Sequence, residues 1–568
     1  MVTSLGVLGR VAVRGHFIRS AAAAMGGLCL LVVVLGVVAF SATTETVPDS
    51  GGTYVEGLVG QPRSLNPLLL QPDDPGQDIG ALVFSGLTRS GEGGRIASDL
   101  ARRWEMSPDG LTYTFYLRPD AKWQDGEPFS ADDVVFTISL LQDLAFPGPP
   151  EVAALWREVR VEKLDSHTVR FTLKAPYAPF LEYTSLAMLP RHLLARVSAN
   201  RLASDPFNQR PIGTGPYRVI GFDQSGVVLR ASNVYYGHQP YLERLVFRFF
   251  PDTASALEAL RKEAIQGLGG VAAAEVSALQ GRGKHALYSA PELSRLTLLI
   301  LDDKYPPLSQ SQVRKAISLA LDRDRLIEVG LGGQGQPAFG PIIPSSWAFK
   351  PDLVRYEHDV DRAKALLESA GWHDADGDGV REKEGQRLHL ILLTNDNPER
   401  IRVADEIRRE LSGVGIEVEL QGASWLDLVR KFLAPHNFQM VLAEQSFPNM
   451  DPDVYSFWHS SQISEGLNFG AWSSRKADDL LERGRQISDQ SQREKLYDEF
   501  QKVFAEEEPS VLLYYPVYTY AVGKEVRGVR LDTLLTPADR FRYVDQWYVK
   551  TRLVFRFPGQ GEQAGRSP

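Results

Sequence analysis

Residues 447–461, FPNMDPDVYSFWHSS, concentrate side chains that can bind or react. The stretch holds the carboxylates of Asp451 and Asp453, the imidazole of His459 and four large aromatic rings. A histidine followed by serines suits a nucleophilic site, but the sequence identifies neither an acid partner nor an oxyanion hole. Aromatic rings with a few polar groups also suit the wall of a ligand pocket. Helix capping and loop hydrogen bonds explain the same residues, so three interpretations stay open.

Two other motifs resemble known sites but lack a required feature. The aspartates of DADGDG (374–379) have calcium-loop spacing, but the twelfth position is Gly385 instead of a bidentate glutamate. GLGGQG (330–335) has the spacing of a dinucleotide fingerprint, but a helical pattern rather than a strand precedes it. There is no G-x-S-x-G elbow, and the histidines have no zinc-site spacing. The sequence therefore predicts no metal and no cofactor.

A mixed α/β framework must position these side chains. LTYTFYLR (111–118) and HTVRFTLK (167–174) alternate apolar and polar residues, which indicates half-buried strands. LHLILLT (388–394), PERIRVADEIRREL (398–411) and IEVELQ (416–421) follow one another as strand, helix and strand. Such a unit predicts a parallel pair with a right-handed crossover. We expect two β/α halves with a cleft between them, where ligands commonly bind.

Composition narrows the class of protein. The chain has 568 residues, of which 43% are apolar and 23% charged, with a net charge of −9 and one cysteine. The balance is that of a globular protein, and the negative charge argues against a nucleic-acid footprint. A single cysteine allows no disulfide within the monomer.

The N-terminus predicts export. Three arginines within the basic residues 1–20 precede an apolar segment at 21–41 that is long enough to span a bilayer. Because positive residues stay in the cytoplasm, the rest of the chain is predicted to lie outside. The segment is either an uncleaved anchor or a signal peptide that is cut at the small residues near 39–41. Residues 42–52 are interpreted as a linker, and 556–568 as a disordered tail because they lack core-forming residues.

Long stretches of the chain resemble one family. They are GGTYVEGLVGQPRSLNPLL (51–69), the block from LVFSGLTRSG to ADDVVFTI (82–138), PIGTGPYRV (211–219), QVRKAISLALDRDRLIEVGLGGQGQPAFGPIIP (312–344) and AKALLESAGWHDADGDGVREKEG (363–385). Together they are similar to the extracytoplasmic solute-binding proteins of peptide-type ABC importers, which are the oligopeptide- and dipeptide-binding solute-binding protein family 5. The resemblance covers residues 51–555 approximately.

The resemblance implies an α/β, two-lobed periplasmic-binding-protein fold of type II, in the large peptide-binding class. Lobe one would comprise 53–290, with an inserted subdomain at about 88–205. The chain would return to lobe one at 515–555. Lobe two would comprise 291–514.

The implied function is capture of a peptide in the interlobe cleft and delivery to an ABC permease and its ATPase subunits, by a monomer and without catalysis. Oligosaccharides, opines or nickel chelates are alternative ligands within this fold. A secreted or anchored hydrolase is the alternative from another class.

The resemblance also implies a set of cleft residues. Glycines in GTGPY let the backbone approach a ligand closely, and an amphipathic ring can form a wall. The predicted cleft segments are 213–217 and 447–472. A tryptophan that follows the strand at 416–421 is predicted to contribute to the same cleft. The predicted ligand-binding residues are Gly213, Thr214, Gly215, Tyr217, Trp425, Phe447, Asp451, Tyr455, Trp458, His459, Asn468 and Trp472.

One departure from the family pattern concerns the ligand. In peptide-binding members, an aspartate four residues before the proline of an acidic-Pro pair holds the ammonium of the ligand. Alignment on Asp451-Pro452 puts Pro448 at that position. Either Asp451 or Asp453 replaces the missing carboxylate, or the ligand has no free N-terminal amine.

We predict that a free N-terminal ammonium is not a strong determinant of binding, because Pro448 offers no charge to pair with it. Isothermal titration calorimetry of the same peptide in free and N-acetylated forms measures this directly. A large loss of affinity on acetylation would contradict the prediction.

Overall fold

The computed structural model describes residues 44–71, 74–91, 95–447 and 449–555, together with Met25. Thr53–Trp547 forms one compact unit, and the described strands on either side of it belong to a second. No helix within the described residues is long and apolar enough to cross a membrane. The predicted membrane segment at 21–41 and the predicted tail at 556–568 lie outside the described residues, apart from Met25.

The strands are numbered in chain order. They are β1 Thr44–Asp49, β2 Thr53–Val59, β3 Thr88–Ser90, β4 Ile96–Ser98, β5 Ala101–Met106, β6 Thr112–Leu117, β7 Arg160–Asp165, β8 Thr168–Thr172, β9 Tyr217–Asp223, β10 Gly226–Ala231, β11 Arg244–Phe250, β12 Gly267–Leu268, β13 His285–Pro291, β14 Arg295–Leu301, β15 Gly335–Pro337, β16 Glu382–Lys383, β17 Gln386–Arg387, β18 His389–Asn395, β19 Glu417–Ala423, β20 Met440–Ser446, β21 Ser510–Gly523 and β22 Lys550–Phe555.

The α-helices are numbered in the same way. They are α1 Gly76–Val83, α2 Ala131–Gln142, α3 Pro150–Ala154, α4 Phe180–Tyr183, α5 Arg191–Leu194, α6 Thr253–Arg261, α7 Ala273–Arg282, α8 Ser311–Ala320, α9 Arg323–Leu331, α10 Val360–Ser369, α11 Pro398–Ser412, α12 Trp425–Asp427, α13 Tyr455–Trp458, α14 Gln462–Glu465, α15 Arg475–Gln486 and α16 Gln490–Glu507. A π-helix, Leu428–Leu433, continues α12, and short 3₁₀ turns include Pro537–Phe541.

The predicted βαβ unit is confirmed. β18 and β19 pair in parallel, from His389 opposite Glu417 to Asn395 opposite Ala423, and α11 connects them. The predicted strands at 111–118 and 167–174 are β6 and β8, the two central strands of the antiparallel sheet β5-β6-β8-β7. The mixed α/β class predicted from periodicity is therefore the observed one.

A single long strand connects the two halves of the large unit. The first part of β21 pairs with β14, which continues into β20, β18 and β19. Its second part pairs with β13 from Val517 onward and with β12, which continues into β2, β11, β10 and β9. Pro516 lies between the two ladders. We call the part of the large unit before residue 292 the first half. The part from β14 to the passage of β21 at Pro516 is the second half.

Burial on both faces explains why β14 is apolar throughout its second part, residues 298–301. Leu298 and Ile300 belong to the cluster of buried residues on one face of the sheet, whereas Leu299 and Leu301 belong to the cluster on the other face. A strand that is covered on both faces has no solvent side on which to place polar residues.

The ends of the chain differ from the expectation. Residues 44–49, which we expected in a linker, form β1 and pair antiparallel with β22, from Thr44 opposite Phe555 to Asp49 opposite Lys550. The pair lies in the small unit, so 550–555 does not join the strands of the first half. Both segments are short and mostly exposed, and neither shows the apolar alternation that announces a strand.

A buried ion cluster attaches the end of the large unit to its beginning. The Arg540 guanidinium donates to Glu56 Oε1 at 3.1 and 2.9 Å and to Asp78 Oδ1 at 2.9 Å. The Arg540 and Glu56 side chains are 2% and 1% exposed. Tyr520 Oη also donates to Glu56, at 2.9 Å. The cluster therefore fixes the turn Pro537–Phe541 against β2 and α1.

We predict that Arg540→Ala lowers the free energy of unfolding by about 3–5 kcal/mol, because it leaves two buried carboxylates without a counter-charge. Urea denaturation followed by circular dichroism measures the change. Arg408→Ala is the control: Arg408 pairs with Asp405 and is 54% exposed, and such surface pairs contribute about 0–1 kcal/mol. Equal effects of the two substitutions would contradict the proposed importance of the cluster.

Candidate binding cleft

A cleft of about 1980 Å³ lies between the two halves of the large unit. The first half contributes the end of β2, helix α1 and the segment 182–187. The second half contributes the start of β14 and the end of β20, and residues 516–519 of β21 form a wall common to both. The cleft thus lies where the shared strand passes from one half to the other.

The lining combines apolar and aromatic surface with acidic and basic side chains. Apolar surface can hold an organic solute by area, and polar groups can orient it. The aromatic side chains of the wall are Phe84, Trp156, Tyr183, Tyr235, Phe447, Phe457, Tyr518 and Phe541.

The GTGPY loop supports the wall from behind. Gly213 and Gly215 pack against the C-terminal end of α1, and a Cβ atom on Gly213 would lie 1.9 Å from the Val83 carbonyl oxygen. The Gly215 N–H donates to that carbonyl at 2.8 Å. Close backbone approach explains both glycines, but the backbone they approach is the protein's own.

The other polar groups of this loop also have structural positions. Gln124 accepts from the Gly213 N–H at 3.0 Å and donates to the Tyr217 carbonyl at 2.7 Å. Tyr217 is fully buried, and its hydroxyl donates to the Leu242 carbonyl at 3.1 Å. Thr214 is buried as well. From the predicted segment 213–217, Pro216 is the residue that lines the cleft.

The second predicted segment reaches the cleft through its first residues. Phe447 lines the cleft and packs edge-to-face on Phe457, with ring centroids 5.5 Å apart. Asn449 and Leu467 lie in the same wall. Pro448 lies outside the described residues.

The two carboxylates of this loop are already paired with arginines of the second half. Asp451 accepts two bonds from Arg493, at 2.6 and 2.8 Å, and the Asp451 side chain is 7% exposed. Asp453 accepts from Arg485 Nε at 3.0 Å. Burial raises the pKa of Asp453, and Arg485 opposes that shift. Both aspartates therefore have an arginine partner within the protein.

Arg485 also contacts the first half. Its guanidinium lies 5.0 Å from the ring centroid of Tyr177 and 4.2 Å from that of Tyr455. The Ala178 N–H donates to the Arg485 carbonyl at 2.7 Å. These contacts hold the segment before α4 against α15, and Tyr455 lies in this seam rather than in the wall of the large cleft.

The remaining predicted residues of 447–472 belong to the core of the second half. Trp458 and Trp472 pack on Phe504, and the indole N–H of Trp472 donates to Glu507 at 2.7 Å. Asn468 is 1% exposed and donates to the carbonyls of His459 and Trp472. Trp425 is 48% exposed on α12 and is not among the described residues that line the cleft.

His459 has the neighbours of a nucleophilic triad but the geometry of a loop anchor. Its Nδ1 is 2.8 Å from Ser461 Oγ, and its Nε2 is 3.2 Å from Glu482 Oε1. The Ser461 backbone N–H donates to the same Nδ1 at 3.1 Å, within one turn. The imidazole thus joins this turn to α15, and it does not line the cleft.

The acidic turn 374–379 is stabilised by its own backbone. The Asp374 carboxylate accepts from the N–H groups of Gly377 and Gly379, at 2.8 and 3.1 Å. Carboxylate oxygens of Asp374, Asp376 and Glu382 lie within 4.8 Å of one another at the surface. Turn formation accounts for the aspartates, in agreement with the interpretation made from the missing twelfth ligand.

Sequence reasoning missed the wall residues Trp156, Glu182 and Tyr183, and also the stretch 536–545. None of them belongs to a motif. The one local signal is a single glutamate among the aromatic residues of APYAPFLEY (175–183), which is unusual for a segment that is otherwise apolar.

A cleft between two α/β halves that share one strand defines a two-lobed solute-binding protein. The family model for bacterial extracellular solute-binding proteins, family 5 (middle), matches residues 95–465. The chain belongs to this family. The expectation that the protein binds rather than catalyses is confirmed by this membership, and the hydrolase alternative is wrong.

Named relatives agree with the family. The chain is 30% identical over 515 residues to the oligopeptide-binding protein AppA of Bacillus subtilis, covering 88% of this chain and 92% of that protein. It is 27% identical over 522 residues to the dipeptide-binding protein of Escherichia coli, with 87% and 95% covered.

Two solved structures show the same fold. AppA of Bacillus subtilis in complex with a nonapeptide has a TM-score of 0.68 at 30% identity, with 89% of this chain and all of that chain covered. NikZ of Campylobacter jejuni in complex with Ni(L-His) has a TM-score of 0.69 at 27% identity, with 87% and 99% covered.

We predict that Asp451→Ala lowers the free energy of unfolding by about 3–5 kcal/mol, because it leaves the buried Arg493 without its partner. Denaturant titration measures the change. The control is Asp479→Ala, since Asp479 is 61% exposed and pairs with Arg483 on the surface, where about 0–1 kcal/mol is expected. An Asp451→Ala protein of unchanged stability that binds its solute more weakly would show that Asp451 serves the ligand instead.

Proposed function

We propose that this protein captures peptides outside the cytoplasm and delivers them to an ABC permease, which its ATPase subunits drive. The observation that supports this most strongly is the cleft of about 1980 Å³ at the shared strand β21. Pockets for single small molecules have volumes of roughly 300–1,000 Å³. A cleft about twice that size suits an extended solute of several residues.

The family offers smaller ligands too, and the cleft volume distinguishes between them. A nickel chelate or an opine would leave most of this space to water, whereas a peptide fills it with backbone groups and side chains. The relative solved with a nonapeptide is 30% identical to this chain, and the relative solved with Ni(L-His) is 27% identical. Volume therefore favours a peptide over a nickel chelate or an opine, and the relatives named for oligopeptide and dipeptide binding favour a peptide over an oligosaccharide.

The proposed mechanism is closure of the two halves around the solute. The halves are joined where β13 leads into β14 and where β21 passes Pro516. A few residues at such junctions absorb the change in backbone angles when halves move as rigid bodies. Closure would remove the solute from water and bring the outer surfaces of both halves into the arrangement that the permease recognises.

The proposed location is the outer face of the cell membrane. The apolar segment 21–41 supports either a retained anchor or a cleaved signal peptide, and both export the binding unit. We take the protein to act as a monomer, with the permease as its partner. The lobe boundaries proposed are those of the resemblance, 53–290 and 291–514, with the chain returning at 515.

Native mass spectrometry of the full-length chain purified from its host, followed by calorimetry with the masses that co-purify, tests the proposal. We expect a set of peptide masses that are lost on denaturation and that bind again with micromolar or tighter affinity. Co-purification of a metal chelate or a sugar, with no binding of any peptide from a mixed peptide digest, would overturn it.

A further inference from the structure

We propose that Glu182 is the cation-binding group of this cleft and that the preferred peptides carry a basic side chain, lysine or arginine, beside it. This inference rests on the proposed function, since it names the class of peptide that the same cleft selects. It follows from three observations on the described residues: the arginines of the wall have partners, Glu182 is partly buried without one, whereas the unpaired lining acids Glu328 and Glu399 are exposed, and an aromatic ring lies beside Glu182.

The arginines of the wall are already engaged. Arg295 makes a bidentate pair with Glu444, at 2.9 and 2.9 Å, and Arg542 pairs with Asp539 at 2.9 Å. Arg540 is committed to the buried cluster with Glu56 and Asp78. Carboxylates outnumber arginines among the lining residues, so the charge left for a solute to meet is negative.

The two other arginines of the wall do not change this balance. Arg402 donates to the carbonyls of Val329 and Gly330, at 3.1 and 2.7 Å. Burial raises the pKa of Asp99 to about 6, and Arg89 is among the groups that oppose that shift. Arg89 therefore interacts electrostatically with Asp99, an acid of the same wall.

Glu182 lies on α4 and lines the cleft. Within the described part of the chain, its carboxylate has no ion pair and no hydrogen bond. Arg493 and Asp451 act electrostatically on Glu182, but they are held in a bidentate pair with each other. Glu182 thus has no counter-charge of its own among the described residues.

Burial raises the pKa of Glu182 to about 8, with Asp451 adding to the shift and Arg493 opposing it. A carboxylate that is partly removed from water without a partner is costly to ionise. A cationic group on the solute would supply the missing partner. Tyr183 lines the same wall, and the face of a tyrosine ring attracts an ammonium or guanidinium group as well.

Calorimetry with N-acetylated tripeptides tests the proposal. Each peptide carries one lysine at the first, second or third position, and its counterpart carries norleucine there, so that only the side-chain charge differs. We expect the wild-type protein to prefer the best lysine peptide by at least about tenfold, the effect of one charge-assisted contact. Glu182→Gln should abolish that preference, so that lysine and norleucine peptides bind to it with equal affinity.

The matched control is Glu494→Gln, which removes the same charge from an exposed position on α16 outside the lining. It should keep the preference for lysine. The inference is overturned if Glu182→Gln keeps the wild-type ratio, or if the wild-type protein shows no preference.

A spermidine titration separates this inference from the proposed function. If no peptide binds but spermidine does so in a Glu182-dependent way, peptide capture fails and the cation site stands. If neither binds, both fail.

The pH dependence gives an independent measure. Only the ionised carboxylate pairs with a cation, so affinity for the lysine peptide should be complete above about pH 8 and fall as pH drops below it, by up to about tenfold per pH unit. The charged groups that act on Glu182 are Asp451 and Arg493, and Tyr183 follows it in the chain. Burial raises the pKa of Tyr183, so its hydroxyl stays neutral in this range. Glu182→Gln should give a flat profile, and a wild-type profile of the same flat shape would contradict the role of Glu182.

Discussion

The structure depends on one strand that belongs to two sheets. β21 pairs with β14 over its first residues and with β13 over its last, so the two halves of the binding unit cannot separate without breaking one of these ladders. Neither half offers a complete binding site. The cleft exists because the strand continues from one half into the other, and residues 516–519 line the cleft at the point of passage. The position of the site follows from this connection.

Charge pairing shapes the rest of the cleft. Arg540 holds the late turn against β2 and α1, Arg493 and Arg485 neutralise the two aspartates of the loop after β20, and Arg295 neutralises Glu444. Buried charges persist in a fold only when they are paired and hydrogen-bonded. Among the lining carboxylates, Glu182 is partly buried and has no ion pair or hydrogen bond within the described residues. A carboxyl group that the fold leaves unpaired in a cleft is available to a solute.

The fold was largely predictable, whereas of the predicted site residues Phe447 lines the cleft and most of the others do not. The strands at 111–118 and 167–174 and the βαβ unit at 388–421 show their own periodicity, because neighbouring residues reflect the burial of one or both faces. The cleft residues carry no such signal. Trp458, Trp472 and Asn468 looked like a binding surface since aromatic and amide groups serve both purposes. The two tryptophans pack on Phe504 in the core, and Asn468 is buried among backbone carbonyls. Gly213 and Gly215 were rightly read as positions of close approach, but the partner is the Val83 carbonyl of α1.

The sequence by itself determined the class of fold, the family, the apolar segment before the binding unit and the absence of the usual aspartate at position 448. Each of these depends on residues that are close together in the chain. Only the tertiary structure decided which charges remain free, because that depends on partners far apart in sequence: Asp451 meets Arg493, Glu56 meets Arg540, and Glu182 meets none among the described residues. A carboxylate that stabilises the fold and a carboxylate that binds a ligand have the same side chain. Only the neighbours in space distinguish these two roles.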